Sequence, residues 1–185
     1  AFIHHIKINK GYKMKKLILM SLLIAGSLYA GIFDSKEKRG VAPATDEFYI
    51  KECASCHFAY QPGLLPERSW VKLMGNLKNH FDTDASLERE DNKKILKYLV
   101  DNSAEKFTDY KRSKKINNSI RSDETPIAVT QTRYFTKKHK GIRKDLITQK
   151  EVKSIANCIA CHTTADKGLY GERDINIPNY GRWDD

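Results

Sequence analysis

Cys158-Ile159-Ala160-Cys161-His162 repeats the pattern of Cys53-Ala54-Ser55-Cys56-His57, and these two stretches contain all four cysteines of the 185-residue chain. C-x-x-C-H is the attachment pattern of c-type haem. The two thiols add to porphyrin vinyl groups as thioethers, and the adjacent His ligates iron from beneath the ring. One helical turn presents all three groups together. Two disulfides, a Cys/His zinc site or a redox C-x-x-C would each use the cysteines but leave the following His unexplained in both copies. Zinc would also want its two cysteine pairs close together, whereas Cys56 and Cys158 lie about a domain apart.

Outward from the motifs, the N-terminal part reads as targeting sequence. Residues 1–13 hold no methionine and no apolar periodicity, and are read as a non-native leader. Met14-Lys15-Lys16 followed by the apolar run Leu17 to Leu28 reads as a signal peptide over 14–30, with Ala30 before the cleavage point. The competing reading is an uncleaved anchor from Leu17 to Phe33, at the short end for a bilayer span. Either reading exports the domain, to the periplasm of a Gram-negative bacterium or to the periplasmic face of its inner membrane. That agrees with where bacteria attach haem covalently. The formal charge of +10 falls to +5 without Lys7, Lys10, Lys13, Lys15 and Lys16. Nucleic acid is a poor partner for such a chain, because its basic residues are interleaved with acids and it has no binding motif.

Residues 31–44 form a linker rich in charge and punctuated by Gly31, Gly40 and Pro43. Thr45 is the expected N-cap of a helix running through Asp46 to Cys56. After the turn signal Gln61-Pro62-Gly63 and Pro66, Trp70, Leu73, Met74, Leu77 and Phe81 recur at helical spacing, with His80 at the edge of that face. A third helix is expected from Glu88 to Glu105, with Ile95, Leu96, Leu99 and Val100 inward. Asn117, Asn118, Ser119 and Ser122 interrupt the periodicity, placing a domain boundary near residue 112. The first haem domain is then 45–112 and the second 113–185. Pro126 is expected to open a helix carrying Tyr134, Phe135 and His139. Thr148-Gln149-Lys150-Glu151 reads as a capping box for a helix delivering Cys158, Cys161 and His162.

The chain has six histidines. His4 and His5 fall in the leader, His57 and His162 in the motifs, and His80 and His139 are left over. Each leftover histidine is 23 residues from a motif histidine, in opposite directions along the chain. Met74 is the one methionine beyond the signal peptide, so at most one iron can take a His/Met pair. Each half is too short to build a large core from side chains alone, so haem must belong to the core. Phe58, Tyr60, Trp70, Phe81, Tyr134 and Phe135 are the aromatic residues available to line it. The fold class expected is mostly α, two small helical domains around two covalent haems.

The first motif continues as His57-Phe58-Ala59-Tyr60-Gln61-Pro62-Gly63-Leu64-Leu65-Pro66, then Ser69-Trp70, Leu73-Met74, Asn79-His80-Phe81, Ala85-Ser86-Leu87 and Tyr98-Leu99. Thr125-Pro126, Lys138-His139 and Asn157-Cys158 follow. With these residues the chain resembles the dihaem cytochrome c family of small exported bacterial proteins, over roughly residues 45 to 178. The resemblance implies a helical electron-transfer protein with His on both faces of each haem, His80 and His139 matching the second ligands. It also implies a redox partner that can be a small oxygen-binding haem protein. Asp82-Thr83 departs from the family, which often has glycine after the residue matching Phe81, and bears on a turn rather than on iron.

Three functions compete. A periplasmic, low-potential electron carrier, drawing on a membrane donor or feeding a haem protein or reductase, follows from bis-histidine iron with no vacant position. A haem peroxidase would need an open iron face with acid/base groups beside it. The third reading is the subunit through which electrons enter a larger periplasmic reductase, similar to the small dihaem subunit of periplasmic nitrate reductase, whose motifs lie closer together than the 105 residues here. Lys137, Lys138, Lys140, Arg143 and Lys144 crowd around His139, a basic rim that would steer an acidic partner.

Overall fold

The computed structural model describes residues 37–183. The leader, the signal peptide and the first part of the linker lie outside them. Seven α-helices and several single 3-10 turns carry the described chain, which holds isolated bridges and no strand. None of these helices is long and apolar enough to cross a membrane.

The first helix, α1 (Glu47–Cys53), is shorter than expected and starts one residue later. Asp46 rather than Thr45 is its N-cap, its carboxylate accepting from the Tyr49 N–H at 2.7 Å. The expected long second helix is α2 (Glu67–Met74), which ends at Gly75; a 3-10 turn over Leu77–Asn79 then carries the chain to His80. The helical spacing therefore does not extend to Phe81, which is 54% exposed with φ at 50°. Helix α3 (Arg89–Asp101) packs along α2 and buries Ile95 and Leu99, as its periodicity requires. Tyr49, Trp70, Met74 and Leu77 complete this core.

Helix α4 (Lys111–Ser119) occupies the stretch read as an interruption. Its one large buried residue is Ile116, too little for an apolar period to show. What anchors it is close packing on the turn at Pro62–Leu64. A Cβ on Gly63 would stand 2.6 Å from Ser113 Oγ, so glycine permits the approach. Gln61 through Pro66 are all buried, and Trp70 Nε1 donates to Pro62 O at 2.8 Å. The turn is thus part of the interior rather than a surface loop. The expected boundary near residue 112 falls in the first turn of α4, and Arg112 reaches forward to Tyr134 Oη at 2.7 Å and Tyr170 O at 2.9 Å.

Helix α5 (Arg133–His139) is capped by Thr132, not opened by Pro126. The capping box at 148–151 does not form. Thr148 closes α6 (Lys144–Thr148), its hydroxyl donating back to Lys144 O, and residues 149–157 run without α-helix to the short α7 (Cys158–Cys161). Val152 is buried in a turn there, so tertiary burial rather than helix propensity sets the local backbone.

Candidate haem centres

The first motif straddles the end of α1. Cys53 is its last residue, Ala54 its C-cap, and Cys56 and His57 lie exposed beyond it. His57 Nδ1 lies 2.7 Å from Phe58 O. A proton shared there leaves Nε2 as the lone-pair nitrogen, the arrangement that orients an imidazole toward a metal. His80 enters from the other side. Its backbone closes a turn with Thr83, N–H to O at 2.8 and 3.1 Å, through Phe81 and Asp82 at φ of 50° and 66°. These left-handed conformations are where glycine is preferred, which is the physical content of the Asp82-Thr83 departure. The His57 and His80 rings are nearly parallel, 23° apart, with centres at 6.0 Å. Burial, then the neighbouring His57, lowers the His80 pKa, favouring the neutral form that can ligate.

The second motif has α7 as its helical turn, with Cys158 at its start, Cys161 at its end and His162 as its C-cap. An extended segment clasps it: Thr163 N–H donates to Asp174 O at 2.9 Å and Asn176 N–H to Cys161 O at 2.8 Å. His139, the last residue of α5, stacks on Phe135 at 3.8 Å and places Nδ1 2.9 Å from Phe135 O. Its ring centre is 6.1 Å from that of His162. Burial, then His139 and Arg112, pushes the His162 pKa down to about 4. The His162 Nδ1 atom is buried without a hydrogen-bond partner. A cavity of about 260 Å³, lined by Leu64, Tyr134, Phe135, Leu146, Ile177 and Trp183 among others, opens onto His139, Cys158, Cys161 and His162.

These observations test the chemistry. Two imidazoles ligating one metal at about 2 Å each place their ring centres roughly 6 Å apart, as both pairs do. Burial raises the Cys53 and Cys158 thiols to about 11 and also raises Cys161. No cluster of three or more metal-ligating side chains occurs among the described residues. Met74 sits in the core with Trp70, Leu77 and Ile95.

The sequence model of the family "Dihaem cytochrome c" matches residues 49–170. The chain belongs to the dihaem cytochrome c family. The diheme cytochrome c of Shewanella baltica OS155 is 34% identical, with a TM-score of 0.62, over 75% of this chain and 98% of its own. The diheme cytochrome c of Rhodobacter sphaeroides is 35% identical, also at TM-score 0.62, over 70% of this chain and all of its own. No match is found among curated proteins. As a family member, the chain binds two covalent c-type haems and carries electrons rather than catalysing a reaction.

Sequence reasoning passed over Tyr170 and Arg112. Tyr170 lies edge-on to the His162 ring at 5.4 Å, and its hydroxyl donates to Gln61 Oε1. The available signal was an aromatic residue following the second motif at short range. Arg112 gave none, since its role is visible only once Tyr134 and Tyr170 are brought to it.

Proposed function

We propose that this protein is a periplasmic, low-potential electron carrier in which His57 and His80 ligate one iron and His162 and His139 the other. Cys53 with Cys56, and Cys158 with Cys161, hold the porphyrins. The observation that carries the reading is the pair of imidazoles brought together at each motif, with ring centres 6.0 and 6.1 Å apart. The haems supply one-electron exchange at iron; the residues set its conditions. Two nitrogen ligands leave iron no open position, and imidazole in place of methionine lowers the potential. The apolar cavity at the second centre keeps water away from His139 and His162, and the clasp of 174–176 holds His162 in place. The partner class is an acidic redox protein, such as a small oxygen-binding haem protein, or a membrane donor.

An optical redox titration of the purified holoprotein tests this. Two low-spin haems per chain, at low potentials and without a methionine-to-iron charge-transfer band, are expected, and haem staining should survive denaturation. A high-spin ferric spectrum at either centre would refute the ligand assignment, and recovery of the protein from the cytoplasmic fraction would refute the compartment.

A further inference from the structure

Tyr60 stands between the two centres. Its ring lies 5.3 Å from the His57 ring and 5.3 Å, edge-on, from Phe58. Its hydroxyl donates to Ala156 O at 2.6 Å, across 96 residues of sequence. The same carbonyl lies 3.5 Å from Cys158 Sγ. Tyr60 is fixed from behind, since its own carbonyl accepts from the Tyr49 hydroxyl at 2.5 Å. Its ring also packs against both buried apolar clusters.

We propose that Tyr60 is the electronic bridge between the haem centres, joining the His57 imidazole to the Cys158 attachment through the Ala156 carbonyl. The inference rests on the ligand assignment above. Electron tunnelling weakens exponentially with distance, and less steeply through bonded and hydrogen-bonded atoms than across gaps. The covalent route from His57 to Cys158 runs through most of the folded chain and contributes nothing useful. The route through Tyr60 needs one ring contact, one hydrogen bond and one sulfur contact. One electron leaves one centre, which is oxidised, and arrives at the other, which is reduced. Tyr60 gains and loses neither electron nor proton.

The deciding variant is Tyr60→Phe, which keeps the ring and removes the hydrogen bond; Tyr60→Leu also removes the ring. Exchange spectroscopy on the haem methyl signals of the half-reduced holoprotein reads the inter-haem rate. The carbon-13 resonance of the Ala156 carbonyl reads the hydrogen bond independently of electron transfer. Tyr60→Phe should slow inter-haem exchange several-fold and shift the Ala156 resonance, with both low-spin spectra retained, and Tyr60→Leu should slow it further. A wild-type exchange rate in Tyr60→Phe, or an unmoved Ala156 resonance, overturns the bridge. If the unsubstituted protein itself lacks two low-spin haems, the failure belongs to the ligand assignment and is read directly from its spectrum.

Discussion

Tyr49 shows how much a single phenol can contribute when it is both buried and bonded. It is 3% exposed, its hydroxyl is given to Tyr60 O, and its ring lies 5.3 Å from that of Tyr98. Burial, before the smaller effects of Cys53, Tyr98 and Tyr60, raises its pKa well above the ordinary 10.0. The folded chain therefore holds this proton more tightly than the unfolded chain. The resulting stability is fully present below about pH 10 and is lost as pH rises beyond it. Tyr49→Phe should cost about 1 kcal/mol at neutral pH for the missing hydrogen bond, yet show a shallower decline on the alkaline side. Denaturant unfolding followed at several pH values measures both. An alkaline limb as steep as that of the unsubstituted protein would assign the loss to other groups. His57 and His162 were proposed at this scale because each directly follows its C-x-x-C pair, whereas His80 and His139 were reached by counting histidines and by the family resemblance. Tyr60, Gln61 and Tyr170 were not legible as a linked set, since their partners lie about a hundred residues away.

At the scale of elements, the turn that delivers His80 is held by two non-glycine residues at positive φ. Such a conformation costs an ordinary residue roughly 1–2 kcal/mol, and aspartate less. Asp82→Val should therefore destabilise by about 1–2 kcal/mol, because a β-branched side chain is poorly tolerated there. Asp82→Gly should stay within about 0.5 kcal/mol of the original, relief of strain offsetting the entropy of glycine. Thermal melts give the stabilities, and the low-spin fraction of the first haem reports whether His80 is still delivered. Equal effects of Val and Gly would mean that the turn is not strained. This turn also explains why helical spacing failed beyond Met74: Gly75 ends α2, and the backbone must reverse to aim an imidazole at His57. Helix α4 was hidden for the opposite reason, because turn packing rather than an apolar stripe holds it. The sequence 148–151 satisfied a capping pattern, but burying Val152 prevailed over it.

Across the whole molecule, charge and chain closure matter most. Lys137 and Lys140 are exposed on either side of His139, whereas Arg143 is already paired with Asp145 at 2.8 Å. Changing both lysines to Glu should lower the second-order rate with an acidic redox partner by about tenfold at low salt. The effect should fade as the screening length falls toward about 8 Å near physiological ionic strength. Stopped-flow kinetics over a salt series decides it; a rate indifferent to both salt and charge reversal would leave the rim without a steering role. Closure depends on two glycines. Gly40 at φ +68° would bring a Cβ within 2.0 Å of Gly168 O, and Gly168 at φ +73° would bring one within 2.3 Å of Val41 O. Gly40→Ala should cost at least about 2 kcal/mol, backbone strain plus displacement of the contact. Gly181→Ala, at φ +97° with open space around it, should cost the strain alone. Chemical denaturation compares the two, and equal losses would show that the close approach is relaxed at no cost.

That glycine contact also orders events in time. Val41 N–H donates to Gly168 O at 2.9 Å, and Gln61 reaches Ala165 O at 2.5 Å. The earliest part of the described chain is therefore completed by the latest. A polypeptide made from its N-terminus cannot fasten either bond until residues beyond the second motif have appeared, and pairings so distant in sequence form slowly. The latch therefore forms only when nearly the whole described chain, both C-x-x-C-H stretches included, has come together.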